Sequence, residues 1–457
     1  MRLALAVVAV ALAACAPALG PGGRGAPDRV APALPGPLPD IAGYGAAVGA
    51  QPIPWTSGAL VEDFIELTFD AEWGLRTRRL RKWEGPVRIS LIGDELSAYA
   101  DHARGVAARL DAATGPHLAV YLSPRDPTAE IVFRSAPLRE MRRVAPGANC
   151  FFVPFSGDWT AFREARRAGG ATWANAKALE AVTVFIPSFA APHDIRTCLE
   201  EEAAQALGPR NDLFRLSDSI FNDDAAHLRL TSFDALMLRT LYDPDLKAGM
   251  TRDAARKAAR RVLAKENAGF GERPRLATAG DREHDELRAR STAARGLKER
   301  AEAAARLLRA MKAAPAPDHR LAEAHAMNAY IAYEAERPQD AIAGFQAAER
   351  HLIAIAAPDD VRLAIIRGSL AAVLKREGKA RAALAKLDLA IPVLAANAHD
   401  GHLAQALRWR AACLHQLGER DAARRAARDA LAWATYVYGR NSFEVATSRR
   451  EFALMGL

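Results

Sequence analysis

The 457-residue sequence lacks the motifs that mark several common activities. It contains no G-x-G-x-x-G pattern between a predicted strand and a predicted helix, no phosphate-binding loop and no nucleophile elbow, so neither nucleotide binding nor serine hydrolysis has support. Its net charge of +8 comes from arginines spread along helical stretches, without a compact Lys/Arg run interleaved with aromatic residues. Because such a run is the usual signature of nucleic-acid binding, we expect no nucleic-acid partner.

Cysteine is scarce, with four residues, and the first of them closes an apolar segment at the N-terminus. Arg2 precedes an apolar run over residues 3–14 that is too short to remain as a membrane-spanning helix, as in an export signal. Leu12-Ala13-Ala14-Cys15 resembles a lipoprotein box, which implies that Cys15 is lipidated. We therefore predict a signal peptide and lipobox over residues 1–15 and a lipid-anchored protein of the bacterial envelope that faces the periplasm. Ala16, in place of an aspartate, favours the outer membrane.

Large apolar side chains are few over residues 16–51, where alanine, proline and glycine predominate. Such a segment cannot bury a core, so we predict an extended tether. The composition shifts again near residue 267, and a linker is expected over residues 267–289. This linker separates a first domain over residues 52–266 from a helical domain over residues 290–457 that is rich in alanine, arginine, glutamate and leucine.

Export decides how the three remaining cysteines are interpreted, because two of them can pair in an oxidising periplasm. Cys150 begins an apolar run and Cys198 opens a helix. We therefore predict a disulfide between Cys150 and Cys198 that pins a strand to this helix. Cys413 lies among alanines and a leucine and is expected to be a buried thiol. A cysteine zinc site is disfavoured because no two cysteines are close in sequence.

Apolar periodicity in the first domain predicts helices and strands in mixed order, which indicates the α+β class. The predicted helices cover residues 56–74, 96–113, 233–241 and 252–265. The predicted strands cover residues 87–92, 117–122, 131–133, 150–155 and 182–186. A central helix follows the last strand: Leu199, Ala203 and Leu207 recur at helical spacing, and Gly208 ends the helix in a sharp turn.

This central helix resembles the metal-binding helix of metzincin-type zinc proteases, whose pattern is H-E-x-x-H-x-x-G-x-x-H. When the pattern is aligned with this sequence, its glutamate corresponds to Glu202 and its glycine to Gly208. Its three histidines are replaced by Glu201, Gln205 and Asn211. The resemblance makes Glu201, Gln205 and Asn211 the degenerate metal-ligand positions. It makes Glu202 the general base of an active enzyme.

Two further motifs follow in the metzincin order. Ser219-Ile220-Phe221-Asn222 is similar to the S-I-M-N turn beneath the metzincin zinc, and residues 230–242 are similar to the L-T-x-x-D…L-Y closing helix. The overall pattern, including the C-L-x-E-E-x-x-Q-A-L-G helix, also resembles a bacterial lipoprotein family known only as domain of unknown function 2927. These resemblances imply a metzincin-like, or zincin-like, fold for residues 52–266, and the family name gives no activity.

The degenerate positions offer one carboxylate and two amide oxygens, a set that suits calcium or no metal better than it suits zinc. We therefore expect no cofactor and no catalysis. The alternative is a metal-dependent peptidase with atypical zinc or calcium ligands, in which Glu202 is the general base. His193 or His227 could replace a ligand, although a loop residue and a solvated residue are the simpler interpretations. A divalent cation could also bind the acidic residues Asp212, Asp218, Asp223 and Asp224, which could equally be solvated.

The helical domain carries an internal repeat. A Gly-containing turn at residues 377–379, followed by small residues at helical spacing, returns at residues 417–419, and a weaker copy follows Arg337-Pro338. The spacing resembles tetratricopeptide repeats, in which paired helices stack into a platform. By that resemblance the concave groove is lined by Tyr330, Tyr333, Lys375 and Arg408. These side chains could bind a peptide, and the tyrosines could equally pack between helices.

Together these features predict an envelope lipoprotein whose zincin-like domain is non-catalytic and whose repeats bind or scaffold a protein or peptide. The expected partners are an envelope protein or peptide at the repeats and the membrane through the lipid anchor.

Overall fold

The computed structural model describes residues 41, 44–45, 56–71, 75–146, 148–173, 178–216, 218–222, 226–266, 281–294, 296–314 and 317–457. The predicted signal peptide with Cys15, nearly all of the tether and most of the linker lie outside the described residues. The chain divides into two compact units. The α/β unit comprises Val48–Ala190 and Asp194–Leu276, and the helical unit comprises Met1–Ala47, Ala191–His193 and Ala277–Leu457.

Helices and strands alternate in the first part of the chain. In order, the elements are α1 (Ser57–Phe69), β1 (Asp70–Ala71), β2 (Leu75–Arg76), β3 (Val87–Ile92), α2 (Asp94–Ser97), α3 (Ala100–Thr114), β4 (Val120–Leu122), β5 (Ile131–Ala136), α4 (Leu138–Val144), β6 (Phe151–Val153), α5 (Trp159–Arg167), β7 (Val182–Pro187), α6 (Pro192–Ala206), α7 (Ser232–Tyr242) and α8 (Arg252–Glu266). Strands β1 and β2 form a separate small antiparallel pair.

The other five strands form one mixed sheet in the order β4-β3-β5-β7-β6. Four of them are parallel, with Ile89 paired to Ile131 and Phe133 paired to Val184 in register. The edge strand β6 runs antiparallel to β7, with Phe152 opposite Val184. Neighbouring residues of β3 on opposite faces of the sheet, Ile89 and Ser90, are both buried, as expected for parallel strands in α/β proteins.

The core of the α/β unit is formed by apolar side chains of the sheet and of the helices around it. Fully buried members include Phe64 of α1, Leu110 of α3, Phe133 of β5 and Leu199 of α6. A second cluster of aromatic side chains packs Phe185 of β7 against α5. The expectation of mixed helices and strands, followed by an all-α region, is confirmed at this coarse level, and the N-terminal region is an α/β arrangement.

A disulfide joins Cys150, next to the edge strand β6, to Cys198 in α6, with the two Cα atoms 6.1 Å apart. This is the pair that the sequence predicts. Cys413 is a free thiol and is buried. The disulfide therefore fixes the edge of the sheet to the central helix within the α/β unit.

The second part of the chain is helical throughout the residues described there. Its helices are α9 (Asp281–Ala293), α10 (Leu297–Ala313), α11 (His319–Glu334), α12 (Pro338–Ile355), α13 (Val361–Arg376), α14 (Ala380–Ala396), α15 (Asp400–Gln416), α16 (Arg420–Tyr438) and α17 (Phe443–Met455). Consecutive helices contact one another in pairs, α11 with α12, α13 with α14 and α15 with α16.

The three pairs share the same connecting turn. Glu336, Gly378 and Gly418 each have a positive φ of 57°, 72° and 78°, respectively. In each turn the next amide donates to the carbonyl five residues earlier, as Lys379 does to Leu374 and Glu419 to Leu414. This common geometry is the structural counterpart of the sequence repeat. Within the described ranges, no helix is both long and apolar enough to cross a membrane.

Candidate functional site

The central helix α6 ends in a turn that requires glycine. Gly208 has a φ of +143°, and a Cβ atom built on it would lie 2.5 Å from Cδ2 of Leu241 in α7. The amide of Gly208 donates to the carbonyl of Gln205 at 2.9 Å, which closes the last turn. Because only glycine combines this backbone conformation with this close approach, the chain leaves α6 at a fixed angle and against α7.

The degenerate ligand positions lie around this turn. Gln205 is buried, and its Nε2 donates to a carboxylate oxygen of Asp212 at 2.9 Å. Asn211, just past the turn, donates through Nδ2 to the backbone carbonyl of Glu66 at 3.3 Å. Glu202 is buried and Glu201 is partly exposed, so neighbouring glutamates on α6 differ in their access to solvent.

This donor set does not fit zinc. Glu201, Gln205 and Asn211 supply oxygen only, whereas zinc sites in proteins use nitrogen or sulfur ligands with at most a minority of carboxylates. Nowhere in the described part of the chain is a group of three or more His, Cys, Asp or Glu side chains placed to hold a metal ion. His193 and His227 are partly exposed, and Asp223 and Asp224 lie outside the described residues. We derive no reaction step through a metal.

A buried ion pair holds α6 to α3. Glu200 is buried, accepts a hydrogen bond from Nε of Arg109 at 2.9 Å and also pairs with Nη2 of the same guanidinium. Its carboxylate further accepts the amide of Leu230 at 3.3 Å, at the approach to α7. Glu200 lies near the middle of α6 and not in its first turn. The contact with Arg109 has no sequence signal because the two residues are 91 positions apart.

His102 lies near the same ion pair. The pKa of His102 is lowered to about 4, mainly by burial and also by the positive charges of Arg196, Arg109 and Arg229, against the opposing effect of Glu200. The imidazole is therefore neutral at physiological pH.

The S-I-F-N turn is held by a buried carboxylate. Asp234 of α7 accepts hydrogen bonds from Oγ of Ser219 at 2.5 Å and from the amide of Ile220 at 3.2 Å. It also accepts from the amide and hydroxyl of Thr231 at 2.8 and 2.9 Å, which completes a capping box at the start of α7. Burial raises the pKa of Asp234 to about 6, against the lowering effect of these four donors. The two motifs that resemble metzincin segments thus contact each other through one side chain.

A second buried ion pair links α1 to the segment after α6. Arg215 is 1% exposed, and its Nη2 lies 2.7 Å from carboxylate oxygens of both Asp63 and Glu66. Its charge is therefore compensated by two acidic groups.

The four side chains expected in the repeat groove have partners within the helical unit. The hydroxyl of Tyr330 is hydrogen-bonded to Ser369, and the guanidinium of Arg376 lies 4.8 Å from the ring centre of Tyr333. Both tyrosines are buried. Lys375 and Arg408 both bind Glu451 of the last helix, α17, at 3.4 and 2.5 Å. Their role in binding a partner stays a prediction.

A short piece of the N-terminal segment lies on helices α14 to α16. The ring of Tyr44 packs on Trp433 with 4.9 Å between ring centres, and its hydroxyl donates to a carboxylate oxygen of Asp400. The amide of Gly45 donates to the carbonyl of Ala395, at the end of α14, at 2.8 Å. This contact was not expected from the sequence, which gives Tyr44 only as part of a tether.

Comparison with known proteins gives one finding about the α/β unit. The family model described as "Protein of unknown function (DUF2927)" matches residues 57–261. No curated protein and no solved structure matches the chain. The matched residues extend from the start of α1 into α8 and include the α6 turn and the Asp234 network.

Proposed function

We propose that the protein binds polypeptide through its helical unit, and that the ligand presents an aromatic side chain with a hydroxyl group beside a backbone amide. The observation that carries this proposal is the position of Tyr44 on α14 to α16. A turn of the chain at Tyr44 and Gly45 already lies on the helices there. It supports a binding role more directly than the four groove residues, whose charges and hydroxyls are engaged by other side chains.

The contacts of Tyr44 define what such a ligand needs. The face of Trp433 accepts an aromatic ring, and the carboxylate of Asp400 accepts a hydrogen bond from a hydroxyl group. The carbonyl of Ala395 accepts a backbone amide. Because the three groups select a ring, a hydroxyl and a main-chain donor together, they favour a tyrosine over a phenylalanine or an alkyl side chain.

The chain's own Tyr44 would compete with any other ligand. Because Tyr44 belongs to the same chain as the helices, its contact with them is intramolecular and competes with a separate ligand. A partner peptide would therefore bind more tightly once Tyr44 is removed. The experiment is to titrate a fluorescent peptide of residues 38–47 into the full chain carrying Tyr44→Ala and into the unaltered chain, and to follow anisotropy.

We expect saturable binding to the Tyr44→Ala chain and at least tenfold weaker apparent binding to the unaltered chain. A peptide with phenylalanine at the tyrosine position should bind about 10- to 150-fold more weakly, because a hydrogen bond to a charged group contributes about 1.5–3 kcal/mol. Asp400→Asn should remove most of that difference between the two peptides. Equal binding of a peptide with alanine at this position would rule out the proposed recognition.

For the α/β unit we propose a zincin-like fold without catalysis. The mixed sheet with an antiparallel edge strand, followed by α6, its Gly208 turn and the Asp234 network, agrees with the zincin order and supports this assignment. The oxygen-only donor set supports the absence of a zinc reaction. The helix pairs with a shared turn support tetratricopeptide-like repeats in the helical unit.

The absence of zinc catalysis is tested by metal analysis of the full chain purified without chelator, combined with a peptidase assay of the unaltered chain and of Glu202→Gln. We expect less than stoichiometric zinc and no activity that depends on Glu202. Bound zinc at one ion per chain, with peptidase activity lost in Glu202→Gln, would establish the alternative of a metal-dependent peptidase.

We further propose that the protein is anchored by lipid at Cys15 to the periplasmic side of the bacterial envelope. The lipobox-like sequence before Cys15 is the supporting observation. Labelling with a radioactive fatty acid should mark the unaltered chain and leave Cys15→Ser unlabelled. Release of the unaltered chain into the aqueous fraction without detergent would contradict the anchor.

A further inference from the structure

Two buried guanidinium groups of the α/β unit lie close together beside one indole. Arg81 precedes β3, Trp173 follows α5, and Arg210 comes directly after the Gly208 turn. The guanidinium carbon of Arg210 is 5.2 Å from the ring centre of Trp173, and Nη1 of Arg81 donates to the carbonyl of the same tryptophan at 2.8 Å. Trp173 therefore joins the two arginines.

Arg210 is bound only by backbone carbonyls. It is 2% exposed, and it donates through Nε to Gly208 at 3.3 Å and through Nη2 to Thr68 at 2.8 Å. Its Nη1 is buried and has no hydrogen-bond partner among the described residues. A buried donor without an acceptor is rare in folded proteins because it has lost its water and gained nothing in exchange.

Arg81 adds a second positive charge to this place. It is 9% exposed, and its hydrogen bond to Trp173 is the one that the described residues give it. No carboxylate among the described residues lies within ion-pair distance of Arg81 or of Arg210. The positive charge of Arg81 and, more strongly, burial lower the pKa of Arg210 to about 10, so the two guanidinium groups repel each other.

Arg215, another buried arginine of the α/β unit, has the counter-charges that Arg81 and Arg210 do not have among the described residues. Arg215 is equally buried, and two carboxylates compensate its charge at 2.7 Å. A buried ion without a counter-ion is strongly unfavourable, so proteins pair such groups or hold an external ion beside them. The guanidinium plane is suited to the oxygens of a carboxylate or a phosphate.

We propose that Arg81, Trp173 and Arg210 form a binding site for an oxyanion, the carboxylate or phosphate group of a small ligand. Nη1 of Arg210 is the donor available in the interior, and Arg81 offers further N–H groups at the partly exposed side. The indole of Trp173 forms one wall of the site. Trp173 is the member of this cluster with the most access to solvent, so the ligand enters beside it.

The experiment uses the full chain and three anions. Calorimetric titrations with phosphate, with acetate and with chloride, at matched ionic strength and pH 7, measure direct binding. We expect saturable binding of one phosphate or one acetate per chain, and none of chloride. The phosphate arm identifies a phosphate-bearing ligand and the acetate arm a carboxylate-bearing one.

Variants then locate the site. Arg81→Gln should weaken binding at least tenfold, and Arg210→Gln should abolish it. Arg252→Gln is the matched control, because Arg252 is paired with Asp70 at 2.8 Å and should bind the anion as the unaltered chain does. If Arg210→Gln does not fold, the proposal is tested by the anion titrations of Arg81→Gln and of the unaltered chain. Absence of saturable oxyanion binding by the unaltered chain, or unchanged binding by Arg81→Gln, would overturn the proposal.

Discussion

Asp234 is a single buried side chain that accepts hydrogen bonds from two separate segments of the α/β unit. Its carboxylate accepts from Ser219, Ile220 and Thr231, and it lies fully inside the α/β unit. Asp234→Ala would leave these donors buried without an acceptor, at about 1–3 kcal/mol each. We expect a loss of at least about 3 kcal/mol in the free energy of unfolding, measured by urea denaturation.

The matched control for Asp234 is Asp253, whose side chain is 88% exposed and pairs with Arg256 on the same helix. Asp253→Ala should change the free energy of unfolding by about 0–1 kcal/mol, as for surface ion pairs generally. Equal effects of the two substitutions would mean that the Asp234 network contributes no more than a surface pair does.

His102 gives the fold a dependence on pH. The unfolded chain takes up a proton on this imidazole near its ordinary pKa of 6.5, whereas burial keeps the folded chain neutral down to about 4. The unfolded state binds more protons across this window, so its contribution to stability is present above pH 6.5 and is lost as the pH falls to 4. The contribution is at most about 3 kcal/mol.

The substitution His102→Gln should therefore flatten the fall in unfolding free energy between pH 6.5 and 4.5, measured by urea denaturation at several pH values. His117→Gln, at an exposed histidine, is the control and should leave the slope as it is. A slope that persists unchanged in His102→Gln would show that His102 does not cause the dependence.

Among the elements, the turn after α6 is the most constrained by its neighbours. Gly208→Ala places a methyl group 2.5 Å from Leu241 in a backbone conformation that side chains rarely adopt. We expect a loss of more than about 2 kcal/mol in unfolding free energy, because strain and a steric clash add. Gly249→Ala is the control: its φ is +80° with open space around it, so it should cost only about 1 kcal/mol.

Elements with a clear apolar period were well predicted from the sequence. The strand over residues 87–92 agrees fully with β3, and the predicted helices over residues 233–241 and 252–265 agree with α7 and α8 to within one residue at each end. Gly208 correctly marks the end of α6. In these segments the local pattern and the tertiary packing favour the same structure.

Elements whose ends are set by distant contacts were predicted less well. The helix predicted over residues 56–74 ends at Phe69, because Asp70 and Ala71 pair with β2 as a short strand. The helix predicted over residues 96–113 is divided into α2 and α3. Helix α4 was missed because, of its seven residues, only Met141 is buried, which gives no apolar period.

The candidate sites, like the helices and strands, were predictable where the sequence signal is local and not where it depends on distant contacts. The positions on α6 could be found from sequence because they lie within one motif. The Arg81–Trp173–Arg210 cluster and the Tyr44 contact could not, because their members are far apart in the chain and none belongs to a repeated pattern. Only the folded structure brings them together.

At the scale of the whole molecule, the disulfide is the main covalent constraint in the described residues. It closes a loop with a sequence separation of 48, for which a chain-entropy estimate gives about 4 kcal/mol. Cys150→Ser with Cys198→Ser, or reduction of the unaltered chain, should lower the free energy of unfolding by about 2–4 kcal/mol. Urea denaturation with and without reductant measures this.

Cys413→Ser provides the comparison, because this thiol is free and buried in the helical unit. Its effect should be the same in the presence and in the absence of reductant. An unaltered chain that unfolds at the same urea concentration in both conditions would show that the bond between Cys150 and Cys198 does not constrain the fold in solution.

Loss of the last helix, α17, would change the charge of the surface on which it packs. Glu451 of α17 is the one side chain that binds both Lys375 and Arg408 in the described helical unit. A protease that trims the protein ahead of this glutamate would leave two cations facing each other without an acid between them. The trimmed molecule would then attract acidic polypeptides more strongly than the intact one.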